Sequence, residues 1–363
     1  MKVKYIPVFF MAAAAVLSAC SGDKTPSGEL KARLEAAASS GDILFGQQDA
    51  LMYGHTWRAV PGDSLDRSDV RDVCGRHPAV LGLDLGGIEL GDECNLDGNP
   101  FCMMREAAVA HHERGGIVTF SWHPRNPLTG GDSWDVSSSS VVASVLEGGE
   151  KHGLFMQWLS RCADFLASLK DSDGRPVPVI FRPWHEHTGS WFWWGRDLCS
   201  KEQYTGLWKM TYTYMTSDRG LDNLVWAYSP GAGVDAGGYM ERYPGDDMVD
   251  ILGLDCYQYG EAPESNAAYS SLLDSTLAFM TELGKAHGKT IALTETGFEG
   301  IPYGKWWTGV LYPAVKDYPV AYLLVWRNAW DRESHFYGPW KGTLSEEDFL
   351  EFASCGDIVL LDE

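Results

Sequence analysis

The sequence predicts a (β/α)8 TIM barrel, eight parallel strands surrounded by helices, as a single catalytic domain. Eight short aliphatic and β-branched segments alternate with longer amphipathic stretches, which is typical of a parallel sheet. Glu186 and Glu295 each follow such a segment, and barrel enzymes place their chemistry at the carboxyl ends of strands. An open doubly wound sheet is the alternative, but its Gly-x-Gly-x-x-Gly turn is absent after the early strands.

The apolar segments are predicted to be strands, and the amphipathic segments between them helices. The predicted strands cover residues 43–48, 80–85, 117–122, 179–183, 224–228, 251–256, 290–294 and 321–326. The clearest helical patterns cover residues 154–169, 203–213, 267–287 and 306–316. A further helix over residues 29–39 is expected to pack beneath the barrel. Eight strand–helix units in one chain favour a closed ring over an open sheet.

The N-terminal segment is predicted to be a lipoprotein signal peptide over residues 1–19. Two lysines precede an apolar stretch at residues 5–16, which is too short for a comfortable membrane span. The stretch ends in Leu-Ser-Ala-Cys, which resembles a bacterial lipobox, so we expect cleavage before Cys20 and lipid attachment to its sulfur. Residues 20–28 would then be a flexible tether, and residues 29–363 the catalytic domain. An ordinary secretory signal with an incidental cysteine is the alternative.

The predicted location is the outer membrane, reached through the lipid anchor. Ser21 follows the cysteine where an aspartate would favour the inner membrane. The sequence leaves open whether the protein faces the periplasm or the cell surface.

The composition favours a neutral substrate. A formal net charge of −21 argues against nucleic acid and anionic lipid surfaces as ligands. The 15 tryptophans and 16 tyrosines suit a sugar-binding cleft, because aromatic faces stack on sugar rings. No Cys-x-x-Cys occurs, so no structural zinc site is expected. No metal or cofactor is expected, the chain is expected to be a monomer, and a disulfide between Cys94 and Cys102 is left open.

The two glutamates lie in different sequence contexts, which predicts different roles. Four tryptophans crowd Glu186 at positions 184, 191, 193 and 194. Apolar surroundings raise the pKa of a carboxyl group, as a general acid requires. Threonines flank Glu295, and polar neighbours suit a carboxylate that stays ionised as a nucleophile. Such a pair is what glycosidic-bond cleavage needs. The alternatives are a solvated loop charge for Glu186 and a structural ion pair for Glu295.

The segment Arg182-Pro183-x-His185-Glu186, followed by Gly189-x-Trp191-Phe192-x-Trp194-Gly195, resembles glycoside hydrolase family 26. The best-known members of this family are β-mannanases. Most families of the same clan carry asparagine before the acid/base residue, whereas this family carries histidine, here His185. The resemblance implies an acid/base on strand four, a nucleophile on strand seven and retention of configuration. It therefore predicts carboxyl groups roughly 5–5.5 Å apart.

The resemblance extends to residues expected to bind substrate. His123 would line the glycone side, and Tyr257 would donate a hydrogen bond to the nucleophile. Trp326 would floor the −1 subsite, Arg327 would bind hydroxyls of the next sugar, and Trp191 would stack on sugars beside the acid/base. A loop histidine capping a turn is the alternative for His123, and a buried tyrosine bonded to backbone is the alternative for Tyr257.

Several neighbouring residues remain open or are read as structural. Arg182 has the same strand parity as Glu186. Its side chain would point inward and pair with Glu295, or it would form another buried ion pair. Trp193 and Trp194 would line the cleft or fill the barrel rim. His185 and His187 are expected on one strand face, but a zinc site would need a third ligand from elsewhere, and the His-Glu-x-x-His motif is absent. His111 and His112 are expected to be solvated at a helix end. The segment 92–99 only mimics a calcium loop and is interpreted as a surface loop.

Together with these patterns, the resemblance implies a retaining endo-β-1,4-mannanase that hydrolyses mannan, glucomannan or galactomannan by double displacement. One alternative is an exo-acting enzyme that releases mannobiose, with the Ser- and Gly-rich loop 124–149 closing the glycone end. Another is a β-1,3-xylanase or mixed-linkage β-glucanase of the same family. A surface lipoprotein that only captures glycans is the non-enzymatic alternative. A barrel enzyme acting on phosphates is opposed by the acidic charge and the missing phosphate motif.

Overall fold

A closed ring of eight parallel strands forms the centre of the computed structural model, which describes residues 25–362. Each strand pairs with its neighbour in chain order, and the last pairs with the first through Leu44–Tyr322 to Gln47–Val325. The ring confirms the predicted barrel. The strands are β1 Ile43–Gln48, β2 Val80–Asp84, β3 Ile117–Ser121, β4 Val179–Arg182, β5 Leu224–Tyr228, β6 Ile251–Gln258, β7 Thr290–Phe298 and β8 Val320–Val325.

Helices connect the strands outside the ring. They are α1 Pro26–Ser40, α2 Asp69–Cys74, α3 Phe101–Glu113, α4 Val141–Val145, α5 His152–Ala167, α6 Lys201–Thr213, α7 Ala236–Met240, α8 Pro263–His287, α9 Tyr312–Val315 and α10 Glu346–Ala353. Single turns of 3-10 helix lie at Ile88–Leu90 and Asp246–Met248, and π turns at Tyr214–Asp218 and Trp307–Leu311. Short strands occur at Tyr53–Gly54, Trp57–Arg58, His77–Pro78 and Ile358–Leu361.

The predicted strand positions agree with the structure, and the differences have local causes. β6 and β7 run further than predicted because they stay paired as far as Gln258 and Phe298. The helix predicted at 306–316 begins instead as the π turn Trp307–Leu311. Pro313 has no N–H to continue α-helical pairing at this point, and the Tyr312 N–H bonds to Trp307 O, five residues back.

α1 closes the amino end of the barrel, as predicted. Leu30, Leu34 and Ala37 are buried against side chains at the strand starts, among them Leu44 and Ile180. The Thr25 hydroxyl caps the helix by accepting from the Gly28 N–H, and Gly41 ends it in the left-handed conformation. This apolar floor leaves the carboxyl end of the ring as the open face.

One expectation for a surface segment is wrong, and a second holds only in part. His111 is fully buried on the inner face of α3, where burial lowers its pKa to about 3. The loop 92–99 is only partly a surface loop, because Asn95 and Asn99 are buried and hold it against the barrel.

The described cysteines form no disulfide, and the N-terminal segment lies outside the described residues. The seven cysteines within residues 25–362 are free, so Cys94 and Cys102 are not joined. The predicted signal peptide and Cys20 lie outside the described residues. Across the part of the chain that is described, no helix has the length and apolarity required to cross a bilayer.

Candidate active site

The barrel brings Glu186 and Glu295 to the same end of the ring. Glu186 lies four residues beyond β4, and Glu295 lies within β7 opposite Asp255 of β6. Trp184 and Glu186 have φ values of 56° and 52°, a left-handed conformation that costs a non-glycine residue on the order of 1 kcal/mol or more. The chain therefore turns sharply at the end of β4 and presents Glu186 to the cleft.

Hydrogen bonds hold this strained turn in place. The Glu186 N–H donates to Ser229 O at 2.7 Å. The backbone carbonyl of Trp184 accepts from the Tyr204 hydroxyl at 2.9 Å, and the indole N–H of Trp184 donates to Thr211 Oγ1 at 3.2 Å. The surroundings thus fix a backbone conformation that a short loop would not keep by itself.

The Glu186 carboxyl lies in a setting that favours its protonated form. Burial raises its pKa well above the usual carboxyl range, and the nearby Glu295 and Asp255 charges raise it further. The Trp191 indole N–H donates to Glu186 Oε2 at 2.6 Å, and this hydrogen bond lowers the pKa of Glu186. The net effect suits a group that holds a proton near neutral pH and delivers it to a leaving oxygen.

Glu295 is buried and held by donors on both oxygens. Arg182 Nη2 bonds to Oε1, and the Tyr257 hydroxyl donates to Oε2 at 2.7 Å. Arg182 therefore points inward and pairs with Glu295, as one sequence interpretation had it, and Tyr257 makes the predicted bond. Donors to both oxygens stabilise the carboxylate charge and fix its orientation, which suits a nucleophile.

Asp255 joins this cluster and was not identified from the sequence. Its Oδ2 accepts from Arg182 Nη1 at 2.8 Å, and its Oδ1 accepts from the Thr294 hydroxyl at 2.7 Å. One guanidinium thus serves two buried carboxylates. Burial raises the pKa of Asp255 to about 7, and the Glu295 charge adds to the rise, against the pull of Arg182. Its strand parity with Tyr257 on β6 was the available signal.

His123 and His185 form a connected pair of buried imidazoles. His123 Nδ1 lies 2.7 Å from Asp84 Oδ2, and the two Nε2 atoms lie 3.0 Å apart. Burial alone would lower the pKa of His123, but the Asp84 carboxylate outweighs it and the net shift is upward. Burial lowers the pKa of His185 well below its usual value, so His185 remains neutral. Asp84 was also missed from the sequence.

Arg327 lies at the end of β8 beside the half-buried Trp326. Its Nη1 lies 3.1 Å from the Tyr53 hydroxyl and 2.5 Å from Asp97 Oδ1. Tyr53 in turn donates to the buried Asp49 at 2.7 Å. The predicted glycone arginine is therefore fixed by the loops after β1 and β2. No local sequence pattern linked Tyr53 or Asp97 to it.

Two exposed tryptophans lie beside Glu186 and His123. Trp191 is 47% exposed, and Trp134 is 48% exposed and stacks on His123 with ring centroids 5.3 Å apart. Trp134 was missed because it lies in the Ser- and Gly-rich loop 124–149. Trp193 and Trp194 are fully buried, so the interpretation as barrel-rim core is right for both.

The expectation that His185 and His187 share a strand face is wrong. β4 ends at Arg182, and the left-handed residues beyond it break strand alternation. His185 packs on His123, whereas His187 is buried between the rings of Tyr204 and Tyr228. Residues 25–362 contain no group of three or more His, Cys, Asp or Glu side chains that could hold a metal ion.

A parallel barrel whose open end carries two carboxylates between aromatic platforms is the architecture of a barrel-type glycoside hydrolase. A family model, glycosyl hydrolase family 26, matches residues 33–318. The chain belongs to glycosyl hydrolase family 26, and the resemblance noted in the sequence is confirmed.

Individual relatives agree with this assignment. A mannan endo-1,4-β-mannosidase of Bifidobacterium adolescentis is 32% identical over 365 residues, covering 93% of this chain and 35% of that protein. One from Bacillus subtilis is 35% identical over 200 residues, covering 53% of this chain and 54% of that protein. The chain thus spans about a third and about half of these relatives. A family 26 β-mannanase structure from Bacteroides ovatus is 49% identical with a TM-score of 0.89, covering 94% and 96% of the two chains.

Proposed function

We propose that this protein is a retaining endo-β-1,4-mannanase acting on mannan, glucomannan or galactomannan. The observation that carries the proposal is the contrast between Glu186, whose pKa is raised well above the usual carboxyl range, and Glu295, which accepts from Arg182 and Tyr257. Curated relatives at 32% and 35% identity are mannan endo-1,4-β-mannosidases, which supports mannan as the substrate.

The proposed reaction has two steps. Glu295 attacks the anomeric carbon while Glu186 gives its proton to the departing glycosidic oxygen, which leaves a mannosyl ester on Glu295. Glu186, now ionised, takes a proton from water, and that water attacks the ester and restores Glu295. Retention requires the two carboxyl groups to lie roughly 5–5.5 Å apart, close enough for direct attack by a carboxylate and too close for an inverting water.

Around the reacting sugar, binding roles are proposed for six residues. His123, His185 and Arg327 would bind hydroxyls on the glycone side, and Trp326 would floor the −1 subsite. Trp134 would stack with the glycone, and Trp191 would stack with sugars beside Glu186, because both rings are about half exposed.

A single assay tests the substrate assignment. Purified protein is incubated with glucomannan, galactomannan, lichenan and β-1,3-xylan, and the products are separated over time. Hydrolysis of the two mannans with early products of mixed length supports the proposal. Hydrolysis restricted to lichenan or β-1,3-xylan would replace the mannanase with one of the other family activities. Binding of glycans without any cleavage would favour the glycan-capturing lipoprotein.

Exo-action is the second candidate, and one observation favours it. Three loops are tied together beside Arg327: Arg58 Nη2 bonds to Gly98 O, Asp97 pairs with Arg327, and Asn99 Nδ2 donates to Asp49 Oδ1 at 3.1 Å. Loops held in this way can limit how many sugars fit on the glycone side. Mannobiose as the dominant product from the earliest time point would support this candidate over endo-action.

The membrane anchor is a separate proposal that rests on the residues around Cys20. We propose that Cys20 carries the lipid and holds the protein at the outer membrane. Cys20→Ser is expected to move the protein from the membrane fraction to the soluble fraction with unchanged specific activity. Retention of the variant in the membrane fraction would contradict a lipid anchor at this cysteine.

A further inference from the structure

Arg242 is a buried arginine that binds backbone carbonyls beside the active site. It follows α7 and is 5% exposed. Its Nη2 donates to Arg196 O at 2.6 Å and to Cys199 O at 2.7 Å. Its Nη1 lies 3.5 Å from both Gly195 O and Cys199 Sγ. All these acceptors belong to one stretch of the chain, the end of the loop that begins at Glu186.

The charge of Arg242 has no carboxylate partner. No ion pair involving it occurs within residues 25–362, and its guanidinium instead stands over the Tyr204 ring at 5.6 Å. The nearby His187 adds no second positive charge, because burial and Arg242 lower the pKa of its imidazole well below the usual value and keep it neutral. Burying an unpaired guanidinium is costly unless its donors are satisfied, and here the carbonyls of the loop satisfy them.

A short series of hydrogen bonds connects those carbonyls to Glu186. The Arg196 N–H donates to Gly189 O at 2.7 Å, and the Gly189 N–H donates to Glu186 O at 2.9 Å. Between them lies Trp191, whose indole donates to Glu186 Oε2. Because Trp191 is 47% exposed, packing alone does not fix it, and its orientation depends on the loop that carries it.

We propose that Arg242 is a positioning residue for the acid/base: it holds the loop 189–199 so that the Trp191 indole stays against the Glu186 carboxyl. The inference rests on the proposed function, since it assigns Arg242 an effect on the same reaction. Arg242 touches neither glutamate in this role and acts through the backbone of the loop.

The test is the pH dependence of kcat/KM on a soluble mannan. Activity is lost as pH rises through the pKa of Glu186, because the acid must be protonated to act. The Trp191 bond stabilises the ionised carboxylate. Trp191→Phe is therefore expected to move the alkaline limb of the pH profile, the range in which activity falls, to higher pH by on the order of one unit. Arg242→Lys keeps the charge but cannot reach both carbonyls, so it is expected to move the limb in the same direction, by a smaller amount.

The double variant separates positioning from a general structural effect. In the Trp191→Phe background, Arg242→Lys is expected to add no further shift, because both changes remove the same bond. Arg76→Lys is the matched control: Arg76 also donates to a backbone carbonyl, Ala353 O at 2.6 Å, far along the chain from this loop. Its alkaline limb is expected to match wild type.

Two results would overturn the inference. One is a wild-type alkaline limb in folded Arg242→Lys, and the other is a shift that persists in the Trp191→Phe background. If Arg242→Lys does not fold, Arg242→Gln, which buries no charge and keeps one amide donor, is measured in its place. Wild-type protein without mannanase activity would defeat the proposed function, whereas active wild type with an unmoved variant limb defeats only the role of Arg242.

Discussion

The ends of β4 and β7 face one cleft but are built differently. Beyond β4 the chain leaves strand geometry, and Glu186 emerges from a left-handed turn packed against tryptophan rings. β7 instead stays paired with β6 from Glu295 to Phe298, after a shift of register between Ala292 and Glu295, and the carboxylate meets a guanidinium and a phenol. The turn that carries Glu186 is therefore packed against apolar rings, whereas the carboxylate of Glu295 meets fixed donors.

This difference suits the two glutamates to different roles in the proposed reaction. Around Glu186 the larger influences disfavour charge, and the single indole bond only moderates them. Around Glu295 the positive charge of Arg182 is shared with Asp255, so its stabilising effect depends on how that second carboxylate titrates.

The largest effect is expected at Glu295. Glu295→Ala should reduce activity on every substrate by on the order of 10⁴-fold or more, because no ester can form. A 2-fluoro-mannoside with a good leaving group should trap the wild-type enzyme as a covalent adduct on Glu295, read by mass spectrometry of the digest. An adduct at another residue, or the α-anomer as first product of a β-linked substrate by proton NMR, would overturn both nucleophile and retention.

Loss of Glu186 should depend on the leaving group. Glu186→Ala is expected to lose on the order of 10²–10⁴-fold on mannan, where the departing oxygen needs a proton. The first step on an aryl mannoside with an acidic phenol should be spared, and added azide should rescue turnover of the accumulated ester. Equal losses on both substrates without azide rescue would remove Glu186 from the acid/base role.

How far the sequence could predict these two regions follows from how each is built. The strands were predictable because each is a continuous apolar run. Arg182 was accessible through strand parity, and Tyr257 through the family resemblance. The turn beyond β4 was not, because positive φ at Trp184 and Glu186 ends the alternation, and His187 then faces away from His185. That conformation depends on Tyr204 and Thr211 of α6, which no local pattern connects to it.

The polar residues that were not identified from the sequence were missed for a second, common reason. Asp84, Asp97 and Asp255 each meet a partner far along the chain, the last bonded to Arg182, 73 positions away. A lone aspartate near a strand end is also compatible with a solvated charge, so only the closed ring identifies its partner. Trp134 was hidden differently, in a Ser- and Gly-rich loop whose composition gives no sign that it folds onto His123.

Because Asp255 and Glu295 share the charge of Arg182, the stability of the fold is predicted to depend on pH. The pKa of Asp255 is raised to about 7 in the fold, against 3.8 as its ordinary value. The proton on Asp255 therefore stabilises the fold fully below about pH 4, and this contribution is lost as pH rises to about 7. Asp255→Asn should remove a slope of at most about 1.4 kcal/mol per pH unit from the unfolding free energy in this window.

Denaturant unfolding at a series of pH values measures that slope. Asp173→Asn is the control, since that side chain is 73% exposed, and its slope is expected to match wild type. Wild type and Asp255→Asn with parallel stability curves between pH 4 and 7 would mean that Asp255 remains ionised throughout, satisfied by Arg182.

The smallest effect is expected on the glycone side, away from the reacting bond. Arg327→Ala and His123→Ala should each remove hydrogen bonds to sugar hydroxyls and cost roughly 1–3 kcal/mol in kcat/KM on mannan. The loss should be small on substrates that leave that subsite empty. Arg332→Ala, an exposed arginine in the same loop, is the control and should match wild type on both. Arg327 also pairs with Asp97, so unfolding is measured alongside, at the assay temperature. Folded variants that lose equal activity on both substrate types would make these residues structural, and the polar contacts beside Arg327 would then serve the barrel rim and not the sugar.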